Sequence, residues 1–294
     1  MATLASTWAP PLPEAPGFEH LVVETPGLRS HLATIGEGDP VVLLHGCPQH
    51  WWQWHAIAPV IAAHGYRVYC PDLRGAGWTV ADDPRIGRET RLRDLLALLD
   101  ALDVERAHLL SHDMGVITAM QLTYDHPERV RTAVQLAVWP GFVRFHPRLV
   151  PAFQHLPKYV WHRPGAPLRG DFSERYVARP MSEATIEAHL APMQRPEVDA
   201  AVRPLARGMV LPEALRIMRG AYRSRRLTVP TLVVFGRRDH PTTEELMGRI
   251  CRDPERYADH VEFAYVDDAA HFITDDAPAA VADLSLDWFD RAAR

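Results

Sequence analysis

Lysine is almost missing from this chain: of 32 Lys and Arg residues, only Lys158 is a lysine. The arginine excess reads as a genomic bias rather than as function. Cysteine is scarce too, with Cys47, Cys70 and Cys251 far apart. An odd count without a Cys-x-x-Cys pair argues against a disulfide framework or a zinc site, and it suits a reducing cytoplasm. No apolar run approaches the roughly 20 residues that cross a bilayer, so no membrane partner is expected. Met1–Gly17 is proline-rich but has no basic stretch, so it does not read as a signal peptide. Internal repeats are lacking, and the net charge of -5 makes nucleic acid no obvious partner.

What is present is ordinary globular chemistry, 47% hydrophobic and 23% charged over 294 residues. Met1–Pro16 reads as a loose arm. Phe18–Thr25 and Leu28–Ile35 alternate around Pro26-Gly27, which predicts a β-hairpin. Apolar strand-length runs follow at Val41–Leu44, Tyr66–Cys70, Arg106–Leu110, Val130–Val138, Thr231–Phe235 and Val261–Val266. Helical periodicity lies between and after them, at Trp54–Ala63, Glu89–Leu102, Val116–Tyr124, Thr243–Arg252 and Ala277–Arg291. That alternation predicts an α/β fold, a mostly parallel sheet with helices on both faces. It breaks from Phe142 to Arg226, where prolines and short helical stretches such as Ser182–Leu190 and Glu197–Arg207 replace strands. The expected organisation is a core over 1–140 and 227–294 with a helical lid over 141–226. The insert is strongly basic, which reads first as a solvated face and second as a preference for an anionic or phenolic ligand.

The chain is organised around Ser111-His112-Asp113-Met114-Gly115. Small residues flank Asp113 at two positions either side, between an apolar strand and a helix. That is the spacing of a nucleophile elbow, a strained strand-to-helix turn. A carboxylate at its apex suits attack on a saturated carbon, giving an ester that water must cleave. Read alone, Asp113 serves equally well as a helix cap. In parallel sheets ligands gather at the carboxyl ends of the strands. The loops there carry His45-Gly46-Cys47-Pro48, Asp113, Asp239 and His271, in the order nucleophile, acid, histidine.

With Asp72-Leu73-Arg74-Gly75, Gly236-Arg237-Arg238-Asp239 and Ala270-His271-Phe272 added, the chain resembles the α/β-hydrolase superfamily over nearly its whole length. Within it, the chain looks like the epoxide hydrolase and haloalkane dehalogenase branch. The resemblance implies a mostly parallel eight-stranded sheet and no cofactor or metal. It implies Asp113 as nucleophile, His271 as the base that activates water, and Asp239 as the group that orients His271. The backbone N–H groups of Cys47 and Met114 form the oxyanion hole. Two lid tyrosines protonate an opening epoxide: Tyr222 matches the second, and Tyr159 or Trp161 stands for the first, with Tyr176 as a third candidate. Cys47 is expected to act through its backbone, and Pro48 to follow a cis bond. The substrate implied is a hydrophobic epoxide with water as co-substrate. Met114 and Val116, where tryptophan and glycine are common, leave room for a bulky, polycyclic one. The alternatives are a haloalkane or haloacid dehalogenase, an ester hydrolase using Ser111, and a non-catalytic ligand-binding relative. The side chains of Met114 and Cys47 offer a halide poor donors, which favours the epoxide.

Overall fold

The central strands are apolar at successive positions because both of their faces are covered. The computed structural model describes residues 8–292. Its sheet contains β1 (Glu19–Thr25), β2 (Leu28–Ile35), β3 (Asp39–Leu44), β4 (Tyr66–Pro71), β5 (Val80–Ala81), β6 (Ala107–His112), β7 (Val130–Leu136), β8 (Thr231–Gly236) and β9 (Val261–Val266). Eight strands run in the order β1-β2-β4-β3-β6-β7-β8-β9. β1–β2 and β2–β4 are antiparallel, and every pair from β4 onward is parallel. The eight expected strands are therefore present. β5 is an addition, two residues antiparallel to β2, too short to leave an alternation pattern.

Alternate strand residues point to opposite faces. Val42, Leu44, Leu109 and Val233 pack on one side with Leu92, Leu95 and Leu99 of the helix Thr90–Ala101. Val41, Leu43, Leu110 and Val234 pack on the other with Trp51, Trp54 and the closing helix Pro278–Ala292. The helix expected over Trp54–Ala63 is split. A 3-10 turn covers Trp51–Trp54, and the α-helix begins only at Ala58, where Pro59 fits the first turn. The first seven residues of the expected N-terminal arm lie outside the described residues. From Trp8 onward the arm is docked: Trp8 meets the His31 ring edge-on at 4.9 Å, and Trp78 Nε1 donates to the Pro10 carbonyl at 2.7 Å.

Between β7 and β8 the described residues form helices and turns and no strand. Proline accounts for much of the fragmentation, since it removes a donor and clashes with the preceding turn. Pro147, Pro157, Pro192 and Pro196 each sit at the start of a short helix. The longest run is Pro196–Leu205, a π-turn Ala206–Val210, then Leu211–Met218. Its Leu205, Met209 and Val210 pack on Met114 and Ile117, which places the insertion directly over the turn after β6.

Candidate active site

β6 ends at His112, and the helix Met114–Asp125 begins two residues later. Asp113 makes the turn at φ 50°, ψ -123°, a conformation that costs a non-glycine residue on the order of 1–3 kcal/mol. The turn closes because Gly115 lies against the Leu44 and His45 carbonyls, with no space for a Cβ. Gly46 is equally constrained: a Cβ there would stand 2.6 Å from the Asp113 Cβ. Ser111 is fully buried, and its hydroxyl donates to the Val134 carbonyl at 3.2 Å. It points into the sheet, which removes the Ser111 ester-hydrolase alternative.

The Cys47 N–H donates to Asp113 Oδ1 at 3.0 Å. The other carboxylate oxygen, Oδ2, lies 3.5 Å from His271 Nε2, and His271 Nδ1 lies 3.5 Å from Asp239 Oδ2. Both gaps exceed a formed hydrogen bond, as is common in catalytic sites without substrate. Asp239 is set by a turn after β8, its N–H donating to the Gly236 carbonyl at 3.0 Å. His271 follows β9, and its loop is held from three sides. His112 Nε2 donates to the His271 carbonyl at 2.8 Å, the Ala270 N–H to Asp276 at 2.9 Å, and the Phe272 N–H to the Tyr176 carbonyl at 3.0 Å. His112, given no role from sequence, thus supports the loop that carries His271. Burial lowers it to about 4 and keeps it neutral.

Burial disfavours charge on His271, but the facing carboxylates of Asp113 and Asp239 outweigh it and push His271 up to about 10. Burial likewise opposes ionisation of Asp113; contact with His271 reverses this and holds the carboxyl well below its usual range. The contacts on either side of the His271 ring thus favour its protonated form. Burial pushes the Cys47 thiol up to about 12, so its backbone, not its sulfur, serves the site. The Cys47–Pro48 bond is cis, as expected.

Asp113, Asp239 and His271 open on a cavity of about 160 Å³. Most of its wall is apolar, including Met114, Trp139, Phe153, Val210 and Ile217. Tyr159, Tyr176 and His155 are the aromatic members of the wall with polar atoms, and the Tyr159 hydroxyl donates to Asp171 at 2.7 Å. His155 was missed: one of 16 histidines, it has no spacing that marks it. Its ring stands edge-on to those of Tyr159 and Tyr176, at 5.9 and 6.5 Å.

Two expected site residues are elsewhere. Tyr222 is 1% exposed and absent from the cavity wall. Its hydroxyl donates to the buried Glu213, and its ring packs on Tyr124 at 4.6 Å. The cause is Glu213, a buried carboxylate that must collect donors; it also takes Arg88 and Gln121, each at 3.1 Å. Trp161 is 66% exposed and caps the outer end of the helix Leu156–Val160. Met114 lines the cavity and begins the elbow helix.

The sequence profile of the alpha/beta hydrolase fold matches residues 39–278. Epoxide hydrolase 2 of Siraitia grosvenorii is 36% identical over 134 residues, 45% of this chain and 42% of that protein. Fluoroacetate dehalogenase of a Burkholderia species is 33% identical over 134 residues, 44% of each. The chain thus spans less than half the length of these curated relatives. A solved structure from Pseudomonas aeruginosa, provisionally described as an epoxide hydrolase, superposes with a TM-score of 0.79 at 27% identity, covering 96% of this chain and 99% of that one.

Proposed function

Starting from the fact that the chain belongs to the α/β-hydrolase fold family, we propose that it opens an epoxide to a vicinal diol through an ester on Asp113. The observation that carries this reading is the asymmetric setting of the Asp113 carboxylate. Oδ1 is held by an N–H, while Oδ2 faces the His271 imidazolium beside an apolar cavity. Oδ2 attacks a ring carbon, the C–O bond breaks, and the alkoxide takes the Tyr159 proton. The ester removes one of the two carboxylates that kept His271 charged. Its proton then passes to solvent water more readily, and neutral His271 takes a proton from the attacking water as the oxygen adds to the ester carbon. The negative charge develops on Oδ1, where the Cys47 N–H already lies and the Met114 N–H adds a second donor. Collapse of that intermediate breaks the ester C–O bond, the leaving oxygen takes the proton of the newly added hydroxyl, and Asp113 returns as a carboxylate while Asp239 stabilises the imidazolium.

Epoxide opening is favoured over dehalogenation by Tyr159, a phenol in the cavity wall. A leaving halide needs no proton, whereas an alkoxide does. The insertion over 141–226 acts as a lid in this reading, because Tyr159, Phe153, Val210 and Ile217 close the cavity above residues of the core. The largely apolar wall suits a hydrophobic epoxide, and the cavity opens to solvent on one side, so substrate size is a matter for assay with monocyclic and polycyclic epoxides side by side. Three free cysteines suit a reducing cytoplasm, and no described helix is long and apolar enough to cross a membrane.

The test is turnover of a styrene-type epoxide in heavy-oxygen water, followed by mass spectrometry of the Asp113 peptide. Label in the carboxylate together with diol product is expected. Diol without label would refute the ester. Activity only on the matching haloalkane or haloacid would move the assignment to dehalogenation.

A further inference from the structure

The only lysine in the chain lies beside the cavity wall. Tyr159 donates its hydroxyl to Asp171 Oδ2 at 2.7 Å, and the Lys158 ammonium pairs with Asp171 Oδ1. Tyr159 and Asp171 are 4% exposed and both line the cavity, whereas the Lys158 side chain is 39% exposed. The three groups thus form a continuous path from solvent to a buried phenol. Asp171 supplies the acceptor that a buried phenol requires, as Glu213 does for Tyr222, but only the Tyr159 pair lines the cavity. Cys47, Asp113, His155 and Tyr176 are the other titratable groups facing Tyr159. Among these, the Cys47 thiol is held neutral by burial.

We propose that Lys158 and Asp171 are a proton relay that recharges Tyr159 each time an epoxide opens. This rests on the Tyr159 role proposed above. The bond from Asp113 Oδ2 to carbon forms as the ring C–O bond breaks, and the alkoxide takes the Tyr159 proton. The phenolate would then stand against the Asp171 carboxylate, two negative charges in a desolvated place. Asp171 passes a proton from the Lys158 ammonium to the phenolate and ends as a carboxylate again. Neutral Lys158 takes a replacement from bulk water. Burial lowers the Lys158 pKa, which eases that transfer. An arginine in its place would keep the charge but surrender no proton.

The experiment uses His271→Gln protein, so that the Asp113 ester accumulates and ring opening is seen alone. Ester is followed by intact mass with a styrene-type epoxide, phenolate by near-ultraviolet absorbance, and proton uptake by a pH indicator. With the relay intact, one proton is taken from the medium per ester and no phenolate persists. Adding Lys158→Arg should leave ester formation near the parent rate while phenolate builds up with the ester. Adding Lys158→Met removes charge and proton together and should slow ester formation about tenfold or more. A purely structural lysine would not produce phenolate in the arginine variant. Prompt proton uptake without phenolate in Lys158→Arg, at the parent rate, overturns the relay. Ester formation at full rate after Tyr159→Phe instead overturns the choice of acid, and absence of ester with every epoxide overturns the functional reading itself.

Discussion

Of the aspartate–histidine pairs in this fold, Asp72–His31 is fully buried and Asp113–His271 partly so, and the two are built in opposite ways. Asp72, after β4, accepts His31 Nδ1 at 2.7 Å, the Trp51 N–H at 2.8 Å and the Trp78 N–H at 2.9 Å. Both of its oxygens are occupied, and the residue is 1% exposed. Asp113, after β6, has one N–H donor, a histidine at 3.5 Å and a cavity in front of it. Both carboxyls are held below their usual range against the opposing effect of burial. Ionisation therefore does not separate Asp72 from Asp113, the proposed nucleophile. What separates them is whether the lone pairs are already used and whether space remains for a carbon atom to approach.

Removing the charge at each position should break the comparison cleanly. Asp113→Asn is expected to reduce turnover by at least about 10⁴-fold in freshly prepared protein. It should leave the fold intact, since asparagine tolerates a positive φ. It also removes one of the carboxylates that raise His271. The His271 ring resonance should then titrate below the value of about 10 reached beside Asp113, moving toward an ordinary imidazole. An unchanged midpoint by NMR would show that Asp113 does not set the charge of His271.

Asp72→Asn should act on stability instead, by roughly 3–5 kcal/mol, the usual effect of breaking a buried pair. Turnover per folded molecule should remain near the parent value. The pH dependence has a definite sign. A carboxyl depressed in the folded state stabilises above its unfolded pKa, about 3.9, and that contribution fades as pH falls toward the folded value. Denaturant midpoints of the parent should decline below about pH 4, and this part of the slope should vanish in Asp72→Asn. Lost activity in fully folded Asp72→Asn would mean that the knot also positions the site.

The difference between these pairs is also the difference between what was legible in the sequence and what was not. Parallel strands announce themselves by apolar runs, and the elbow by small residues around Asp113. Those local rules located every strand except the two-residue β5, and the turn that carries Asp113; Asp239 and His271 follow from their place after strands and from chain order, and the structure brings all three together. The insertion obeys no such rule. Its short proline-broken helices have no long face, so spacing cannot say which aromatic points inward. Tyr159 and Trp161 are two residues apart, and side chains at that separation do not share a helix face; only Tyr159 reaches the cavity. Tyr222 followed a sequence resemblance, but Glu213, nine residues earlier, takes its hydroxyl. That outcome depends on which buried carboxylate needs a donor, a property of packing rather than of pattern. His155 and Asp171 enter the wall for the same reason and carried no signal.

Tyr222→Phe gives the smallest effect and the sharpest check on this account. The phenol is buried, and its contact with Glu213 keeps it protonated, since burial and the adjacent carboxylate both raise its pKa. Deleting the hydroxyl takes one donor from Glu213 and leaves Arg88 and Gln121 in place. A buried acceptor that loses a partner costs about 1–3 kcal/mol, and the two remaining donors place the expected loss at the lower end. Ring opening should be unchanged within about twofold, because Tyr222 is absent from the cavity wall and the proposed acid is Tyr159. Thermal unfolding and single-turnover ester formation on the same preparation separate the two effects. A lowered unfolding temperature with unchanged ester formation places Tyr222 with Asp72, among groups whose bonding capacity is already used. A large fall in ester formation with an unchanged unfolding temperature would place it with Asp113 at the reacting carbon.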